Sequence, residues 1–359
     1  SIWSLRLGKG DLKVLSICRL HGNEPASTNG ALLFAYHVVE KGFMRGFPLK
    51  KFLEKVSVYL IPLANPDGAD SYYEKFKERS EPSWQNAFSD TRVNSRGVDL
   101  NRDWLFLEEK ETQVLHAFIN KIKPHIILDQ HEFYFKGGYP PQWPSGKDEF
   151  MITLTDAPYY WVSQPIFKLS ENVMNNIALT IENDWPHWPI SKRWFLGGGK
   201  GKPGEIAVAP IYLGSHFPYE NIAKVLVETW GVGLGEYLMW DRAHIHAMAI
   251  ASTVQWIYEH GDEVLRLIKL SYAEDLKLGV EATYIIKGRD LEIVENILRL
   301  HGIAFRKNKG ELRVSVPQER TRMALILLDR NCEFNKKLRE KGLEYTLDAR
   351  FNVEIEKLS

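Results

Sequence analysis

The chain has 359 residues, 44% of them hydrophobic and 26% charged, which is the composition of a folded protein with room for about two domains. Its 46 basic and 46 acidic residues cancel, which argues against a chain-wide attraction to nucleic acid. Two cysteines, Cys18 and Cys332, cannot build a disulfide framework or a thiolate metal site. No apolar run is long enough to span a membrane and no signal segment is visible, so we expect a soluble protein and favour the cytoplasm.

Short apolar runs without helical spacing predict the strands of the first part of the chain. These runs cover residues 14–20, 56–63, 125–129 and 225–227. Two of the stretches between them, 31–39 and 114–122, have apolar residues at helical spacing. Continuous apolar strands that alternate with helices predict an α/β fold with a mixed, mostly parallel sheet flanked by helices.

The segment 137–204 is rich in Pro, Gly and Trp, which predicts a long irregular stretch of the kind that forms binding loops or lids. Its residues 199–204 match the pattern GxGxxG. The pattern itself contains Pro203, and a strand-like segment follows it instead of a helix, so a lid loop is favoured over a dinucleotide site. For Trp185, Trp188 and Trp194 we expect core packing rather than an apolar or sugar-binding cleft.

After a helical pattern from 236 to about 277, with a break near Gly261, the remainder predicts a second unit. We place the domain boundary between 1–277 and 278–359, the latter a small α+β domain of unknown role. Its predicted strands are 280–286, 303–305, 312–316 and one within 351–355, and its predicted helices are 290–300 and 321–328. We find no chemical motif in this unit. Its histidine, His301, is predicted at a helix end, where a cation favours the helix dipole.

Side chains that can bind a metal follow several of the predicted strands. His21 and Glu24 come after the first strand, His131 after the third and Glu228 after the last. Because ligands bind beyond the carboxyl ends of parallel strands, we expect one shared site. Two imidazoles and one carboxylate suit zinc, and a catalytic zinc keeps a fourth position for water. An isolated HxxE pair is more often an ordinary turn, but the later strand-end residues favour a site.

Five strings occur in the order that is typical of one enzyme family: HGNE at 21–24, NPDG at 65–68, RVNSRGVDLNRDW at 92–104, DQH at 129–131 and VET at 227–229. With them the chain resembles the zinc metallocarboxypeptidase family. The resemblance implies a carboxypeptidase-like fold with a mixed eight-stranded sheet. It also implies one Zn²⁺ per chain, held by His21, Glu24 and His131.

The resemblance assigns the other roles as well. Glu228 matches the general base that takes a proton from water and passes it to the leaving amine. Arg92 matches the arginine that polarises the scissile carbonyl, and it keeps the family spacing that its rival Arg96 lacks. Asn101 and Arg102 match the pair that holds the terminal carboxylate of the substrate.

The family often supplies a tyrosine upstream of the base that covers the substrate. The string IYLGSHFPYEN offers Tyr212, His216 and Tyr219, of which we prefer Tyr212 or His216 as substrate-binding residues, with packing as the alternative. Two aspartates near the motifs, Asp67 and Asp99, are assigned to turns or to the surroundings of the ligands. A third, Asp129, either orients a ligand histidine or is purely structural.

Three functions remain in competition. The leading hypothesis is a zinc-dependent metallocarboxypeptidase that releases C-terminal residues from peptides. A zinc amidase or deacylase acting on acylated amino acids or cell-wall peptides is the second, and a non-catalytic binding protein on the same fold is the third. For both enzymes we expect a peptide or acylated amino-acid substrate with a free carboxylate, no nucleic acid and no membrane span. The side-chain preference and the oligomeric state stay open.

Overall fold

The computed structural model describes residues 1–133, 150–158, 160–192, 208–278 and 281–358. Seven strands form the first sheet in the order β1-β3-β2-β4-β7-β5-β6. They are β1 (Leu5–Leu7), β2 (Leu12–Cys18), β3 (Val56–Ile61), β4 (Ile126–Phe133), β5 (Ile152–Thr155), β6 (Ile190–Lys192) and β7 (Ala223–Trp230).

The centre of this sheet is parallel, since β3, β2, β4 and β7 run in one direction. At one edge β1 is antiparallel to β3, and on the other side β5 is antiparallel to β7 but parallel to β6. The predicted mixed, mostly parallel sheet is therefore confirmed. The resemblance implied eight strands, whereas the described residues contribute seven to this sheet.

Helices cover both faces of the sheet, because its strands carry apolar side chains in both directions. Val14 of β2 packs in a core with Phe34 and Ile250, while the next residue, Leu15, packs on the opposite face with Leu115. The helices of this part of the chain are α1 (Ala26–Tyr36), α2 (Leu49–Phe52), α3 (Pro66–Glu78), α4 (Lys110–Ile122), α5 (Gln164–Asp184), α6 (Leu213–His216), α7 (Met239–Glu259) and α8 (Gly261–Leu276). The long helical pattern with a break at Gly261 is thereby confirmed.

The prediction of an irregular stretch over 137–204 was wrong at 164–184, where the chain forms the 21-residue helix α5. Ile166, Leu169, Val173 and Ile177 recur at helical spacing and are buried in it, so the periodicity outweighs the flanking Pro and Gly residues. Trp185 and Trp188 lie in the main core as expected. Trp194 and the predicted lid at 199–204 lie outside the described residues.

The C-terminal residues build a second, antiparallel sheet in the order β11-β8-β10-β9. Its elements are β8 (Ala282–Gly288), α9 (Leu291–Leu300), β9 (Arg306–Asn308), β10 (Glu311–Val316), α10 (Thr321–Leu328), α11 (Glu333–Arg339), α12 (Leu347–Arg350) and β11 (Val353–Leu358). The sequence predicted the order of strands and helices but missed α11 and α12, and it placed β9 a few residues too early.

The second sheet shares a hydrophobic core with the first unit. Leu105 and Tyr219 belong to the same buried cluster as Tyr284 and Phe334 of the C-terminal unit. The rings of Tyr219 and Phe334 meet edge to face, with centroids 5.3 Å apart. The boundary at 277/278 thus stays a prediction, and it runs across a continuous core. Among the helices of the described segments, none combines the length and apolar character needed to cross a membrane.

Candidate metal centre and active site

His21, Glu24 and His131 meet at the carboxyl edge of the central strands. The first two lie in the turn between β2 and α1, and the third is on β4. Nδ1 of His21 lies 2.7 Å from Oε1 of Glu24, Nδ1 of His131 lies 2.8 Å from Oε2, and the two Nδ1 atoms are 3.0 Å apart. All three side chains are buried. The structure therefore brings together the ligand set that the sequence predicted.

The outer nitrogens of both imidazoles face carboxylates. Nε2 of His21 lies 3.2 Å from Oδ1 of Asp99, and Nε2 of His131 lies 2.7 Å from Oδ1 of Asp129. A carboxylate in this position favours the proton on Nε2 and leaves the lone pair on Nδ1, as in zinc sites. Two nitrogen lone pairs and one carboxylate then point at a common centre, so the residues present fit a divalent metal ion such as zinc.

The electrostatics of the cluster also favour a bound cation. Burial would raise the pKa of Glu24, but the imidazoles of His21 and His131 hold it well below its usual range. Burial would lower the pKa of His131, but Asp129 and Glu24 raise it well above its usual range. The carboxylates therefore create a negative potential at the histidines, and a bound metal ion can neutralise it in place of a proton.

The NPDG motif holds the ligand turn in place. Asn65 caps α3 by accepting a hydrogen bond from the Gly68 amide at 2.9 Å, with Pro66 in the first turn. Its Nδ2 donates to the carbonyls of Leu20 and Arg92, both at 3.3 Å. Gly22 fits against this helix start only because it lacks a side chain, since a Cβ there would lie 2.2 Å from the Gly68 carbonyl carbon. The motif thus ties the turn that carries His21 to the segment that carries Arg92.

Glu228 lies beside the cluster on β7, where it is the register partner of His131 across the parallel pair of strands. Burial raises the pKa of its carboxyl to about 8, with His131 lowering it and Glu24 raising it. A half-buried carboxyl group whose pKa is near neutrality can exchange protons at working pH.

The structure brings Arg92 to the cluster and leaves Arg96 outside it. Nη1 of Arg92 lies 3.4 Å from Oε1 of Glu24, and its Nε donates to Oδ2 of Asp99 at 3.0 Å. Arg96 instead pairs with Glu109 at 3.3 Å and its side chain is 69% exposed. A guanidinium beside the candidate metal ligands can stabilise negative charge on a substrate oxygen there.

Asp99 links Arg102 to the same cluster. One carboxylate oxygen, Oδ2, lies 3.0 Å from Arg92 Nε and 3.6 Å from Arg102 Nη1, while the other faces His21 and accepts from the Asn101 amide. The Arg102 guanidinium stacks on the ring of Tyr212 at 4.4 Å, and its side chain is 44% exposed. Sequence reasoning assigned Asp99 to a turn or to the ligand surroundings, and it serves as both.

Asn101 and Tyr212 lie on one side of the site. Oδ1 of Asn101 accepts a hydrogen bond from the Leu213 amide at 2.8 Å, which ties the 3-10 turn Leu100–Arg102 to the start of α6. Tyr212 immediately precedes α6. Because this hydrogen bond fixes the amide oxygen of Asn101, it also fixes the direction of the side-chain NH₂ group.

The prediction of His216 as a substrate-binding residue was wrong. His216 is fully buried, and its Nε2 lies 3.3 Å from Nε2 of His116 in a different cluster. Tyr219 is equally buried and donates its hydroxyl to the Val208 carbonyl at 2.7 Å, so it packs in the core. Of the three candidates in the string IYLGSHFPYEN, Tyr212 alone lies beside Arg102.

Sequence reasoning missed a buried ion pair behind the ligands. Glu132 follows His131 on β4, and its Oε1 pairs with Arg242 of α7 at 2.7 Å while its Oε2 accepts from the Ala26 amide at 2.8 Å. The Glu132 amide donates to Oε2 of Glu24 at 3.1 Å. The pair therefore fixes both the start of α1 and the candidate ligand Glu24. A charged residue within an apolar strand was the available signal.

Part of the chain is similar in sequence to known zinc carboxypeptidases. The sequence model of the zinc carboxypeptidase family matches residues 2–132, a span that contains His21, Glu24, Arg92, Asn101, Arg102 and His131. Carboxypeptidase 2 of Trichophyton rubrum is 27% identical over 123 residues, and the probable carboxypeptidase 2 of Arthroderma benhamiae is 26% identical over 114. These matches cover 34% and 32% of this chain but only 19% and 18% of the fungal proteins.

Among solved structures, the metallo-carboxypeptidase of Pseudomonas aeruginosa, in complex with (2-guanidinoethylmercapto)succinic acid, superposes with a TM-score of 0.50. It is 17% identical in sequence, and the match covers 73% of this chain and 61% of that one. At this identity the likeness shows the fold alone, which is the α/β carboxypeptidase architecture expected from the motifs. The resemblance of this chain to the zinc metallocarboxypeptidase family is therefore confirmed.

Proposed function

We propose that the chain is a zinc-dependent metallocarboxypeptidase that removes C-terminal residues from peptides, with one catalytic Zn²⁺ held by His21, Glu24 and His131. The observation that carries this proposal is the convergence of two Nδ1 atoms and one carboxylate within 3.0 Å of one another, next to a half-buried glutamate and a guanidinium. Zinc bound by these residues supplies Lewis acidity and lowers the pKa of a water molecule.

Glu228 is the proposed general base. Its position across the strand pair from His131 puts Glu228 beside the proposed metal ligands, where it would take a proton from the attacking water, and the raised pKa suits it to hold that proton. The same carboxyl group then delivers the proton to the leaving amine. The polar partners Glu24 and Asp129 keep negative charge close to Glu228, so this carboxyl accepts a proton readily.

Arg92, Asn101 and Arg102 are the proposed substrate-binding residues. Arg92 contacts the ligand Glu24, so its guanidinium can face the scissile carbonyl and stabilise its oxygen as negative charge develops. Arg102 presents a partly exposed, planar guanidinium that can bind a terminal carboxylate through two hydrogen bonds. The ring of Tyr212 stacks on one face of this guanidinium and holds it in place. Asn101 lies next to it with an oriented amide.

A free carboxylate is what this set selects, and a peptide and an N-acylated amino acid both offer one. The amidase or deacylase alternative therefore uses the same residues, and the substrate panel must separate the two. The panel contains N-blocked dipeptides with a free carboxylate, the same dipeptides with an amidated C-terminus, N-acyl amino acids and muropeptides.

Zinc-loaded full-length protein should release free C-terminal amino acids from the dipeptides with a free carboxylate, and amidation should abolish the release. Hydrolysis confined to N-acyl amino acids or muropeptides would replace the peptidase by the amidase. Zinc-loaded protein that binds these ligands but hydrolyses none would be a binding protein. Elemental analysis of the same sample verifies that zinc is present in each assay.

A further inference from the structure

A second group of metal-binding side chains lies where the C-terminal unit meets the first sheet. His116 is on α4, His216 ends α6, Glu220 lies in the short 3-10 turn Phe217–Glu220, and His301 follows the last residue of α9. All four side chains are fully buried. Their candidate ligand atoms all lie within 4.8 Å of one another. None of the four belongs to the carboxypeptidase-like motifs.

Four of the six separations among these atoms can be compared with the edges of a tetrahedral metal site. Nε2 of His116 and Nε2 of His216 are 3.3 Å apart, and Oε1 of Glu220 lies 3.3 Å from the first and 3.2 Å from the second. Nδ1 of His301 lies 2.8 Å from the same oxygen. A tetrahedron with zinc–nitrogen distances of about 2.0–2.1 Å has edges of roughly 3.3 Å. Three of these four separations lie within 0.1 Å of that edge, and the fourth, between Oε1 of Glu220 and Nδ1 of His301, is 0.5 Å shorter.

The outer nitrogens of two of the rings fix where their protons lie. Nδ1 of His216 faces the carbonyl oxygen of Pro210 at 3.0 Å, and Nε2 of His301 faces that of Leu105 at 2.8 Å. A carbonyl oxygen only accepts, so these nitrogens must donate. In the neutral rings, the inner nitrogens of His216 and His301 therefore carry lone pairs.

Acceptors consequently outnumber donors at the centre of the cluster. Two lone pairs and the carboxylate oxygen Oε1 converge there, and at most one proton, on Nε2 of His116, is available among neutral rings to bridge them. The outer nitrogen of His116, Nδ1, lies 3.2 Å from the side-chain amide nitrogen of Asn120, which donates, so in this arrangement Nδ1 accepts and the ring proton is on Nε2. Extra protons would place positive imidazolium rings in a fully buried site, which desolvation disfavours. A divalent cation satisfies the carboxylate and the inner nitrogens of His216 and His301 directly, and it binds Nε2 of His116 once the proton of that ring moves to Nδ1 and the Asn120 amide turns its oxygen to accept it.

Glu220 is held in position by a residue outside the cluster. Arg320 of the C-terminal unit donates to the backbone carbonyl of Glu220, and its Nη1 lies 3.7 Å from Oε2. Oε2 accepts no hydrogen bond within the described residues, and Oε1 is left to face the three imidazoles. Four protein ligands and no exposed surface describe a closed site, which is typical of structural rather than catalytic zinc.

We propose that His116, His216, Glu220 and His301 bind a divalent transition-metal ion, with zinc as the metal that suits this donor set, and that the ion fastens α9 of the C-terminal unit to α4 and α6 of the first unit. The C-terminal unit, which looked free of chemistry in the sequence, would then contribute one ligand of a structural metal site. The proposal does not depend on the proposed peptidase activity, since it uses none of the residues of that site.

The test measures metal content by elemental analysis on full-length protein produced with added zinc and dialysed into metal-free buffer. A variant with His21→Gln and His131→Gln removes the first site, so any remaining zinc reports the second. We expect about two zinc ions per chain in the wild type and about one in this variant. The matched pair is His301→Gln and the control His244→Gln, a histidine outside both clusters. His301→Gln should lose one equivalent and His244→Gln none.

Replacing zinc by Co²⁺ in the variant that lacks His21 and His131 adds a readout that does not depend on folding of a cluster variant. Visible absorption bands typical of four-coordinate cobalt with nitrogen and oxygen ligands would support the site. Folded His21→Gln/His131→Gln protein that holds no zinc, and shows no cobalt bands after incubation with the metal, would overturn the proposal. That outcome would identify the cluster as a purely hydrogen-bonded one, and it would leave the carboxypeptidase proposal intact, because the wild type would still hold one zinc.

Discussion

His131 and Glu228 are opposite each other on the parallel strands β4 and β7, one a candidate metal ligand and the other the candidate base. Adjacent strands hold paired residues at a fixed separation, and side chains at paired positions emerge on the same face of the sheet. The relative position of ligand and base is thus set by the backbone ladder rather than by a loop. A one-residue slip of β7 would turn Glu228 to the other face and bring Val227 or Thr229 in its place.

Replacing this candidate base should lower turnover strongly and leave the metal in place. Glu228→Gln keeps the shape and size of the side chain but removes its ability to take a proton, so kcat should fall by about 10²–10⁴-fold. Zinc content should not change, because Glu228 is not a ligand. Steady-state hydrolysis of an N-blocked dipeptide measures the effect, and the exposed Glu259→Gln is the control. A Glu228→Gln protein with more than a tenth of wild-type kcat would contradict the assignment.

The two arginines of the string RVNSRG should separate clearly. Arg92→Gln removes a guanidinium that contacts Glu24, so kcat/KM should fall by about 10²–10³-fold, the usual cost of one oxyanion donor. Arg96→Gln loses an exposed ion pair with Glu109 and should stay within about twofold. The comparison uses the same substrate and zinc-loaded protein. Equal losses in both variants would show that Arg92 acts through general electrostatics or folding instead.

The cluster of candidate metal ligands was predictable because each residue lies at or just beyond the carboxyl end of an apolar run in the sequence. β2 and β4 are buried almost throughout and each contains a short apolar run, at residues 14–15 and 126–128; His21 comes three residues after β2, and His131 lies near the carboxyl end of β4. The parallel ladder then brings residues that are 110 positions apart into contact. Sequence spacing alone does not predict this contact, but strand assignment and the rule for ligand position do.

The second cluster was not predictable in this way. His116 and His216 are 100 positions apart and Glu220 and His301 are 81 apart, and no strand end or motif marks any of them. Their contact depends on how α9 packs against α4 and α6, which only the folded chain determines. The substrate-binding role predicted for His216 was wrong for the same reason. The sequence near it offers aromatic and polar side chains, but it does not show which of them the packing of the helices buries.

A third prediction concerns the buried ion pair behind the ligands. Arg242→Leu leaves the carboxylate of Glu132 without its cation in a fully buried position, so the free energy of unfolding should fall by about 3–5 kcal/mol. The double variant Glu132→Gln/Arg242→Leu should recover part of that loss, since no unpaired charge remains. Urea unfolding followed by circular dichroism measures both.

The exposed Arg266→Leu serves as the control for this series and should change the free energy of unfolding by less than about 0.5 kcal/mol. If Arg242→Leu were as stable as this control, the ion pair would not hold the start of α1 in place. The position of Glu24, which accepts from the Glu132 amide, would then need another explanation.

A fourth prediction concerns pH. Burial and the nearby Lys13 charge lower the pKa of His125 to about 4, and Nδ1 of this ring accepts a hydrogen bond from the Lys13 amide at 2.9 Å. Because the folded protein holds the neutral ring and the unfolded chain protonates near pH 6.5, this contribution is complete above about pH 6.5. It is lost as the pH falls toward 4.

Wild-type protein should therefore lose about 1–2 kcal/mol more stability between pH 7 and pH 5 than His125→Gln does. Urea unfolding at the two pH values gives this difference directly, and His244→Gln should keep the wild-type slope. Identical slopes for His125→Gln and the wild type would mean that His125 titrates normally in the folded protein.

The most direct test of the central claim is anomalous diffraction at the zinc absorption edge from crystals of the full chain grown with zinc. The account predicts a peak between His21, Glu24 and His131, about 2.0–2.2 Å from the two Nδ1 atoms and from a carboxylate oxygen. An ordered triad with no peak between its side chains would contradict the zinc centre and, with it, the metallocarboxypeptidase function.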